Sequence, residues 1–280
     1  MKHPLQIAAV TALAMLAFAG NSLLCRVALR DTAIDAASFT SIRLASGALM
    51  LAIIMLARGG RPWTGGTWRA ALMLFAYAAF FSFAYRQLTA ATGALLLFGA
   101  VQTGMLGYGI ASGERLRPLQ LAGLALAIGG LVYMLLPGLA APPLEGALLM
   151  LAAGAAWAVY SLLGRGGKDP VAGTAGNFLR VVPFTIVLSL TVTTHASLDT
   201  AGIAYAVASG AITSGLGYVL WYAVLPSFSA AAAAVIQLSV PAVAAAGGMA
   251  LLGEPLSIRL VIASATILGG IALTILRRRA

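Results

Sequence analysis

A stretch of 54 consecutive residues, 200–253, contains no Asp, Glu, Lys, Arg or His. One crossing of a bilayer takes about 20 apolar residues, so this stretch holds two crossings, joined at the turn-forming residues 225–229. A soluble domain carries about 25% charged residues, whereas this chain has 9% charged and 61% hydrophobic residues. The chain is therefore predicted to be an integral membrane protein.

Charged and turn-rich stretches divide the chain into ten predicted helices. These cover residues 5–25, 37–57, 68–86, 90–111, 118–137, 145–164, 171–194, 200–224, 229–252 and 257–276. If the N-terminus is cytoplasmic, the inside segments hold 11 of the 17 lysine and arginine residues and the outside segments hold 4. Cytoplasmic loops are enriched in these residues, so both termini are predicted to be cytoplasmic. The net charge of +10 belongs to these loops, and no nucleic-acid partner is expected.

Two sequence blocks recur at almost the same offset. Residues 14–26 read AMLAFAGNSLLCR and residues 153–165 read AGAAWAVYSLLGR, which are identical at seven of thirteen positions. Gly113-Glu114 with Gly129-Gly130 returns 140 residues later as Gly253-Glu254 with Gly269-Gly270. These blocks indicate an internal duplication into residues 1–140 and 141–280. Each half has five crossings, an odd number, so the fold class is predicted as all-α with two inverted five-helix repeats, an architecture typical of transporters.

The same motifs carry a resemblance to a known family. An aromatic-x-x-x-Ser-x-x-x-Arg pattern ends the first helix of each half, Gly-Glu follows the fourth helix, and Gly-Gly lies in the fifth. In combination these resemble the drug/metabolite transporter superfamily, and over essentially its whole length the chain is similar to the ten-helix EamA type. Its aromatic helices are similar to those of the YddG amino-acid exporters. The resemblance implies export of small metabolites across the bacterial inner membrane by alternating access.

All seven acidic residues fall at helix ends or in loops. An intramembrane carboxylate is the usual proton carrier, so a facilitator or exchanger is favoured over a proton-coupled exporter. Glu114 and Glu254 are expected to pair with nearby arginines, because burying an unpaired charge is costly. The sequence contains no metal-ligand cluster and no nucleophile–base pair. No catalytic residue, metal or cofactor is therefore predicted.

Arg43 and Arg180 are the charged residues that lie away from the ends of predicted helices, at similar places in the second and seventh. One hypothesis is that each faces a cavity and binds a substrate carboxylate, with Arg180 nearer the midplane. The alternative is that the side chain reaches the interface or bonds to the carbonyl groups of a neighbouring helix.

Three neutral polar residues, Asn21, Gln102 and Gln237, are further candidates for substrate binding. Pro241 and Pro183 cannot donate to the carbonyl groups four residues earlier, so both are predicted hinges. The freed carbonyl of Gln237 could accept a hydrogen bond from a substrate ammonium group. Hydrogen bonds between helices are the alternative role for the three polar side chains.

Aromatic residues recur at helical spacing and could line a cavity for apolar or aromatic side chains. The candidates are Tyr77 and Phe81 on the third helix, Tyr218 and Tyr222 on the eighth, and Phe18, Trp157 and Tyr160 on the first and sixth. Packing, or a belt at the membrane interface, is the alternative. Tyr85 and Trp221 are predicted to belong to that belt, and Trp63 and Trp68 to lie at the cytoplasmic interface.

The favoured hypothesis is a monomeric, multi-pass carrier of the bacterial inner membrane that exports aromatic or neutral amino acids through a cavity between the repeats. A sugar-phosphate or nucleotide-sugar carrier is the alternative within transport, and it would need at least two convergent cations. A lipid-modifying membrane enzyme is the alternative from another class. It would need a cluster of acids, bases or metal ligands.

Overall fold

The computed structural model describes residues 4–113, 117–138, 140–164, 169–191, 196–228, 233 and 236–276. All regular secondary structure in these ranges is helical, which confirms the all-α prediction. Glu114, Arg115, Arg165, Lys168 and the C-terminal arginines 277–279, which entered the repeat and the orientation predictions, lie outside the described residues.

Ten apolar helices follow one another along the described chain. They are α1 (Pro4–Asp31), α2 (Ala36–Ala57), α3 (Trp68–Tyr85), α4 (Ala90–Ala111), α5 (Pro118–Leu135), α6 (Leu144–Leu163), α7 (Pro170–Thr191), α8 (Thr200–Ser227), α9 (Ser239–Leu252) and α10 (Ile258–Leu276). Helices α1 to α8 are long and apolar enough to cross a membrane, and α9 and α10 have shorter apolar segments. The predicted polytopic fold is confirmed.

Helix α1 is longer than predicted, because it continues past residue 25 to Asp31. Arg26 and Arg30 therefore lie in its last two turns and not in a loop. Arg26 forms an ion pair with Glu254, and Arg30 donates a hydrogen bond to the carbonyl of Leu252. The helix was predicted to end at residue 25 because charged residues follow. In the structure, residues from other parts of the chain bind both arginines, so the helix continues.

Short polar side chains determine where several helices begin. Asp35 caps α2 by accepting hydrogen bonds from the backbone N–H groups of Ala37 and Ser38. Its second carboxylate oxygen accepts from the N–H of Ser197, which fastens the α1–α2 connection to the α7–α8 connection. Burial raises the pKa of Asp35, but these hydrogen bonds outweigh burial and hold the pKa below its usual range. Thr67 and Thr89 cap α3 and α4 in the same way.

The helices of residues 1–140 pack mainly on the helices of residues 141–280. Helix α3 packs along α6. Helix α2 packs along α7 and the centre of α8, and helix α1 packs along α8 and α9. Helix α4 packs on α6 and α9, and α5 packs along most of α10. The interior of the molecule, and any cavity at its centre, is therefore formed jointly by both halves of the chain.

The repeated Gly-Gly pair has one packed and one open member in each half. A Cβ atom on Gly270 of α10 would lie 2.5 Å from the carbonyl oxygen of Gly123 on α5, whereas one on Gly269 would meet nothing within 4 Å. Gly130 is likewise packed, against Ile267, and Gly129 is open. The second glycine of each pair is needed for the close approach of α5 and α10.

We expect Gly270→Ala to lower the melting temperature of the purified protein, because the new methyl group must push α5 and α10 apart. Gly269→Ala is the matched control one residue away. It should leave the melting temperature unchanged or raise it, since alanine is about 1 kcal/mol more favourable than glycine inside a helix. Thermal unfolding in detergent measures both variants, and equal melting temperatures would contradict the assigned packing.

Candidate functional site

A network of buried polar side chains joins α1, α2, α3 and α8 near the centre of the molecule. The Asn21 Nδ2 atom donates to the Tyr77 hydroxyl at 3.3 Å, and the Arg43 Nη2 atom donates to the same hydroxyl at 3.2 Å. Ser209 and Thr213 donate to the Asn21 Oδ1 atom at 2.7 and 3.4 Å. The Tyr77 oxygen thus accepts two hydrogen bonds, which leaves its own O–H available to donate.

Arg43 is a buried cation without a negatively charged partner among the described residues. Its side chain is 2% exposed, and its guanidinium lies over the rings of Phe81 and Tyr77, at 4.9 and 5.4 Å from their centroids. The Nε and Nη1 atoms have no hydrogen-bond partner in the described part of the chain. Burying a cation is costly unless it is paired or hydrogen-bonded. Cation–π contacts and one hydroxyl compensate only part of that cost, so Arg43 retains capacity to bind an anion.

A group of stacked aromatic rings lies next to this network. The Trp157 ring lies 4.7 Å from the Tyr77 ring and 5.5 Å from the Tyr218 ring, and it is nearly parallel to the Tyr218 ring at 27°. Phe18 packs against Tyr218 at 5.9 Å, and Tyr160 packs against Trp157 at 5.2 Å. These rings come from α1, α3, α6 and α8, so both halves of the chain supply them.

The rings and the polar network line a cavity of ≈ 40 Å³. A water molecule needs about 10–15 Å³ measured in this way, so the cavity has room for about three. It is lined by Phe18, Asn21, Ser22, Tyr77, Phe81, Leu97, Phe98, Val101, Trp157, Thr213, Ser214, Tyr218 and Gln237. Most of the wall is apolar or aromatic, with hydroxyl and amide groups at a few places, which is typical of small-molecule sites.

Seven of the twelve predicted binding residues line this cavity. They are Phe18, Asn21, Tyr77, Phe81, Trp157, Tyr218 and Gln237. Arg43 and Tyr160 lie directly behind the wall, in contact with the lining rings of Tyr77, Phe81 and Trp157. Gln102 is buried in α4 and Tyr222 is half-buried in α8, and neither belongs to the lining.

Arg180 lies away from the cavity and binds backbone carbonyl groups. Its Nη1 atom donates to the carbonyl oxygens of Gly65 at 2.6 Å and Gly176 at 2.9 Å, and its Nη2 atom donates to that of Trp63 at 3.4 Å. Beside it, Asn177 accepts a hydrogen bond from the N–H of Thr67 at 2.8 Å. Arg180 thus holds the α2–α3 connection against α7. Binding to backbone carbonyl groups was the alternative role considered for Arg180 from the sequence. The observed position of Arg180 gives no support to a contact with substrate.

The two predicted hinge prolines have different surroundings. Pro183 lies inside α7 with its ring exposed on the outer surface. Pro241 is buried in the first turn of α9, which begins at Ser239. The missing N–H of Pro241 therefore falls at a position where a helix has no internal acceptor. Gln237 lies just before this helix start, which brings its side chain into the cavity wall.

The sequence interpretation missed the hydroxyl groups that complete the site. Ser22 from α1 and Thr213 and Ser214 from α8 line the cavity, and Ser209 bonds to Asn21. Residues 208–216 of α8 form a π-helix, a widened helix that is often found at functional sites. The sequence ASGAITSGL, rich in small and hydroxyl residues inside an apolar run, is the signal that could have indicated it.

Two aromatic assignments were wrong. Tyr85 and Trp221 were predicted to lie in an interfacial belt, but they are 0% and 6% exposed. Tyr85 packs edge-on against Phe81 at 4.7 Å, and Trp221 packs against Phe18 at 6.2 Å. Their positions near helix ends suggested the interface, whereas neighbouring helices cover them.

A buried ion pair lies one helical turn beyond two residues of the cavity wall, Ser22 on α1 and Phe81 on α3. The Arg26 Nε atom lies 2.9 Å from the Glu254 Oε1 atom, and the two side chains are 13% and 6% exposed. Arg26 also donates to the carbonyl of Tyr85 at 2.9 Å, and Glu254 accepts from the N–H of Ala90 at 2.8 Å. The predicted pairing of Glu254 with a nearby arginine is confirmed. The pair joins α1, α3 and α4 to the α9–α10 connection.

Known proteins resemble this chain in sequence and in fold. A family model described as the EamA-like transporter family matches residues 144–276. An uncharacterised protein of Pseudomonas aeruginosa, PA1977, is 59% identical over 271 residues, which cover 96% of this chain and 94% of that protein. A solved structure described only as a crystal structure of a protein has a TM-score of 0.65 and 21% identity, with 97% of this chain and 99% of that chain covered. That last similarity concerns the fold alone.

Proposed function

We propose that this chain exports amino acids. It belongs to the EamA-like transporter family of the drug/metabolite transporter superfamily, and it is a multi-pass membrane transporter of small molecules. The proposed substrates have aromatic or neutral side chains. They cross the bacterial inner membrane through the central cavity by alternating access, and both chain termini are cytoplasmic.

The observation that carries this proposal is Arg43, a cation beside an aromatic cavity that has no negatively charged partner among the residues the structure describes. Arg43 supplies the charge that a substrate carboxylate requires, and its planar guanidinium can bind two carboxylate oxygens at once. The amide oxygen of Gln237 and the hydroxyl of Ser214, both in the cavity wall, offer acceptors for an ammonium group. Trp157 and Tyr218 present ring faces to a side chain. An amino acid matches this combination of one cation, neutral acceptors and aromatic rings.

The size of the cavity supports a transport cycle with at least two conformations. At ≈ 40 Å³ it has room for about three waters and none for an amino acid. The rings of Tyr77 and Phe81 also lie between Arg43 and the cavity. Substrate binding therefore requires these rings to move and the helices around them to separate, and the proposed cycle includes such an opening.

Alternating access also requires that each end of the cavity can close. In the proposed arrangement, residues 1–140 and 141–280 are inverted repeats that rock against each other. The Arg26–Glu254 pair connects the two halves at one end. At the other end, the α2–α3 connection of the first half is bonded to Arg180 and Asn177 of the second half. Each contact is small enough to separate while the other remains.

The distribution of the two intramembrane arginines favours an amino acid over a sugar phosphate. A phosphate carrier needs at least two convergent cations, and Arg180 is occupied by three carbonyl groups away from Arg43 and the cavity. The lipid-modifying enzyme is not proposed, because the family is one of transporters.

The test is efflux from liposomes that contain the purified protein and a radiolabelled amino acid. We expect labelled phenylalanine, tyrosine or leucine to leave faster than from protein-free liposomes, and labelled glutamate or lysine to leave at the protein-free rate. The neutral cavity wall has no partner for a second charge, which is the reason for the difference. Equal leakage of every amino acid with and without the protein would overturn the proposal.

A further inference from the structure

The connection between α2 and α3, residues 58–67, and the first two residues of α3 together expose three arginines and two tryptophans within twelve residues. Arg58, Arg61 and Arg69 are all exposed, and Trp63 and Trp68 are 59% and 58% exposed. Among the described residues, none of these guanidinium groups has a hydrogen bond or an ion pair. The segment is therefore both strongly basic and strongly aromatic on its outer surface.

Within the described ranges of the chain, no acidic side chain forms an ion pair with these arginines. The sequence has no acidic residue between Asp35 and Glu114. Asp169 directly precedes α7, which packs against this connection, and it accepts hydrogen bonds from the N–H groups of Val171 and Ala172 at the start of that helix. The positive charge of the α2–α3 connection is thus directed towards an external partner.

The backbone of this connection is held in one shape. Gly59 and Gly66 adopt φ values of 72° and 76°, which side-chain-bearing residues rarely adopt, and they form its tight turns. Arg180 holds the carbonyl of Gly65, and Asn177 holds the N–H of Thr67. A partner that binds here meets a preformed surface, which lowers the entropy cost of binding.

We propose that the α2–α3 connection is a binding site for the headgroup of an acidic phospholipid. A phosphodiester matches exposed guanidinium groups, because each can donate two parallel hydrogen bonds to phosphate oxygens. Exposed tryptophans lie preferentially at the depth of the lipid headgroups. The three arginines bind the phosphate, and Trp63 and Trp68 insert between the glycerol backbones of neighbouring lipids.

The site is connected to the interior through α7. Arg180 and Asn177 hold the connection, and the side chain of Asn177 also donates to the Tyr160 hydroxyl at 3.5 Å. Tyr160 packs on Trp157 of the cavity wall. A bound headgroup therefore stabilises the docked position of the connection, which is one end of the proposed transport pathway.

The experiment is a thermal-shift titration of the full-length protein in an uncharged detergent. The probes are a short-chain phosphatidylglycerol, a short-chain phosphatidylcholine and inorganic phosphate. We expect only phosphatidylglycerol to raise the melting temperature at low concentration, and we expect added NaCl to reduce this shift. Equal shifts with phosphatidylcholine would overturn the proposal. An equal shift with inorganic phosphate would also overturn it, because the site would then bind a free anion.

Variants test the assignment to this segment. Arg61→Gln should weaken phosphatidylglycerol binding about fivefold, and the triple variant R58Q/R61Q/R69Q about a hundredfold. Arg86→Gln, at the opposite end of α3, is the matched control and should bind as the unmodified protein does. Unchanged binding by Arg61→Gln, or an equal loss in Arg86→Gln, would contradict the proposal. Neither result depends on which molecule is transported.

Discussion

Arg43→Met is expected to reduce amino-acid efflux about a hundredfold, because the loss of a desolvated charge–charge contact costs about 2–5 kcal/mol. Methionine has a similar length, removes the charge and satisfies the apolar surroundings of Phe81 and Tyr77. A buried charge without a compensating partner destabilises a protein, so its replacement by an apolar side chain of similar length removes that cost. We therefore expect the melting temperature to stay the same or to rise while transport is lost.

Two controls make this result specific to a charge that binds substrate. Arg43→Lys retains the charge without the planar fork and should keep part of the activity. Tyr77→Phe removes the hydroxyl that accepts from Arg43 and Asn21 while the ring remains in the cavity wall. Efflux from liposomes and the melting temperature are measured for each variant. Full activity in Arg43→Met would show that this cation does not bind the substrate.

Glu254→Ala is expected to destabilise the protein by about 3–5 kcal/mol, because it leaves Arg26 buried without its partner. It also removes the acceptor for the N–H of Ala90 at the start of α4. Asp31→Ala is the matched control at the same end of the molecule. It breaks the Arg30–Asp31 pair, whose side chains are 32% and 41% exposed, and an exposed pair contributes only about 0–1 kcal/mol.

A double variant tests whether the loss of stability comes from the unpaired charge that a single substitution leaves behind. In R26M/E254M both charges are removed, so the loss of stability should be smaller than in either single variant. Denaturation followed by tryptophan fluorescence measures the differences. A loss in Glu254→Ala no larger than that in Asp31→Ala would contradict the assigned burial of the ion pair.

The same ion pair should control access to the cavity. Ser22 lines the cavity one turn before Arg26, so a cysteine at position 22, in a chain with Cys25→Ala, reports opening at this end. We expect a membrane-impermeant maleimide to label this cysteine faster when Glu254→Ala is present. Equal labelling rates would show that the pair does not close this end.

Much of the candidate site followed from local patterns. The spacing of Tyr77 and Phe81, and the recurrence of Phe18 and Trp157 in the two repeats, placed aromatic rings on common helix faces. Asn21 and Gln237 were selected because polar side chains are rare inside apolar helices. All six line the cavity. Helix periodicity determines which residues share a face, which is why the aromatic residues meet at one cavity; their contact with a substrate stays a prediction.

The ranking of the two arginines could not be obtained in this way. Arg180 was placed nearer the midplane from its distance along α7, yet it binds the α2–α3 connection, which packs against the first turns of that helix. Arg43, nearer its helix end by sequence, is 2% exposed beneath Tyr77 and Phe81. The position of a residue along its helix does not show which neighbouring segment will contact that residue.

Composition and helix periodicity were enough to predict a bundle of apolar helices, most of the helix boundaries, and the residue types available to a central site. Those features depend on composition and on contacts within one helix, and a single stretch of sequence contains both. Tertiary contacts were needed to see that no described acidic residue pairs with Arg43, that Arg180 binds backbone carbonyl groups, that Glu254 pairs with Arg26, and that Tyr85 and Trp221 are covered. Each of these outcomes depends on a contact between residues that are far apart in the sequence, and a local sequence pattern does not predict such a contact.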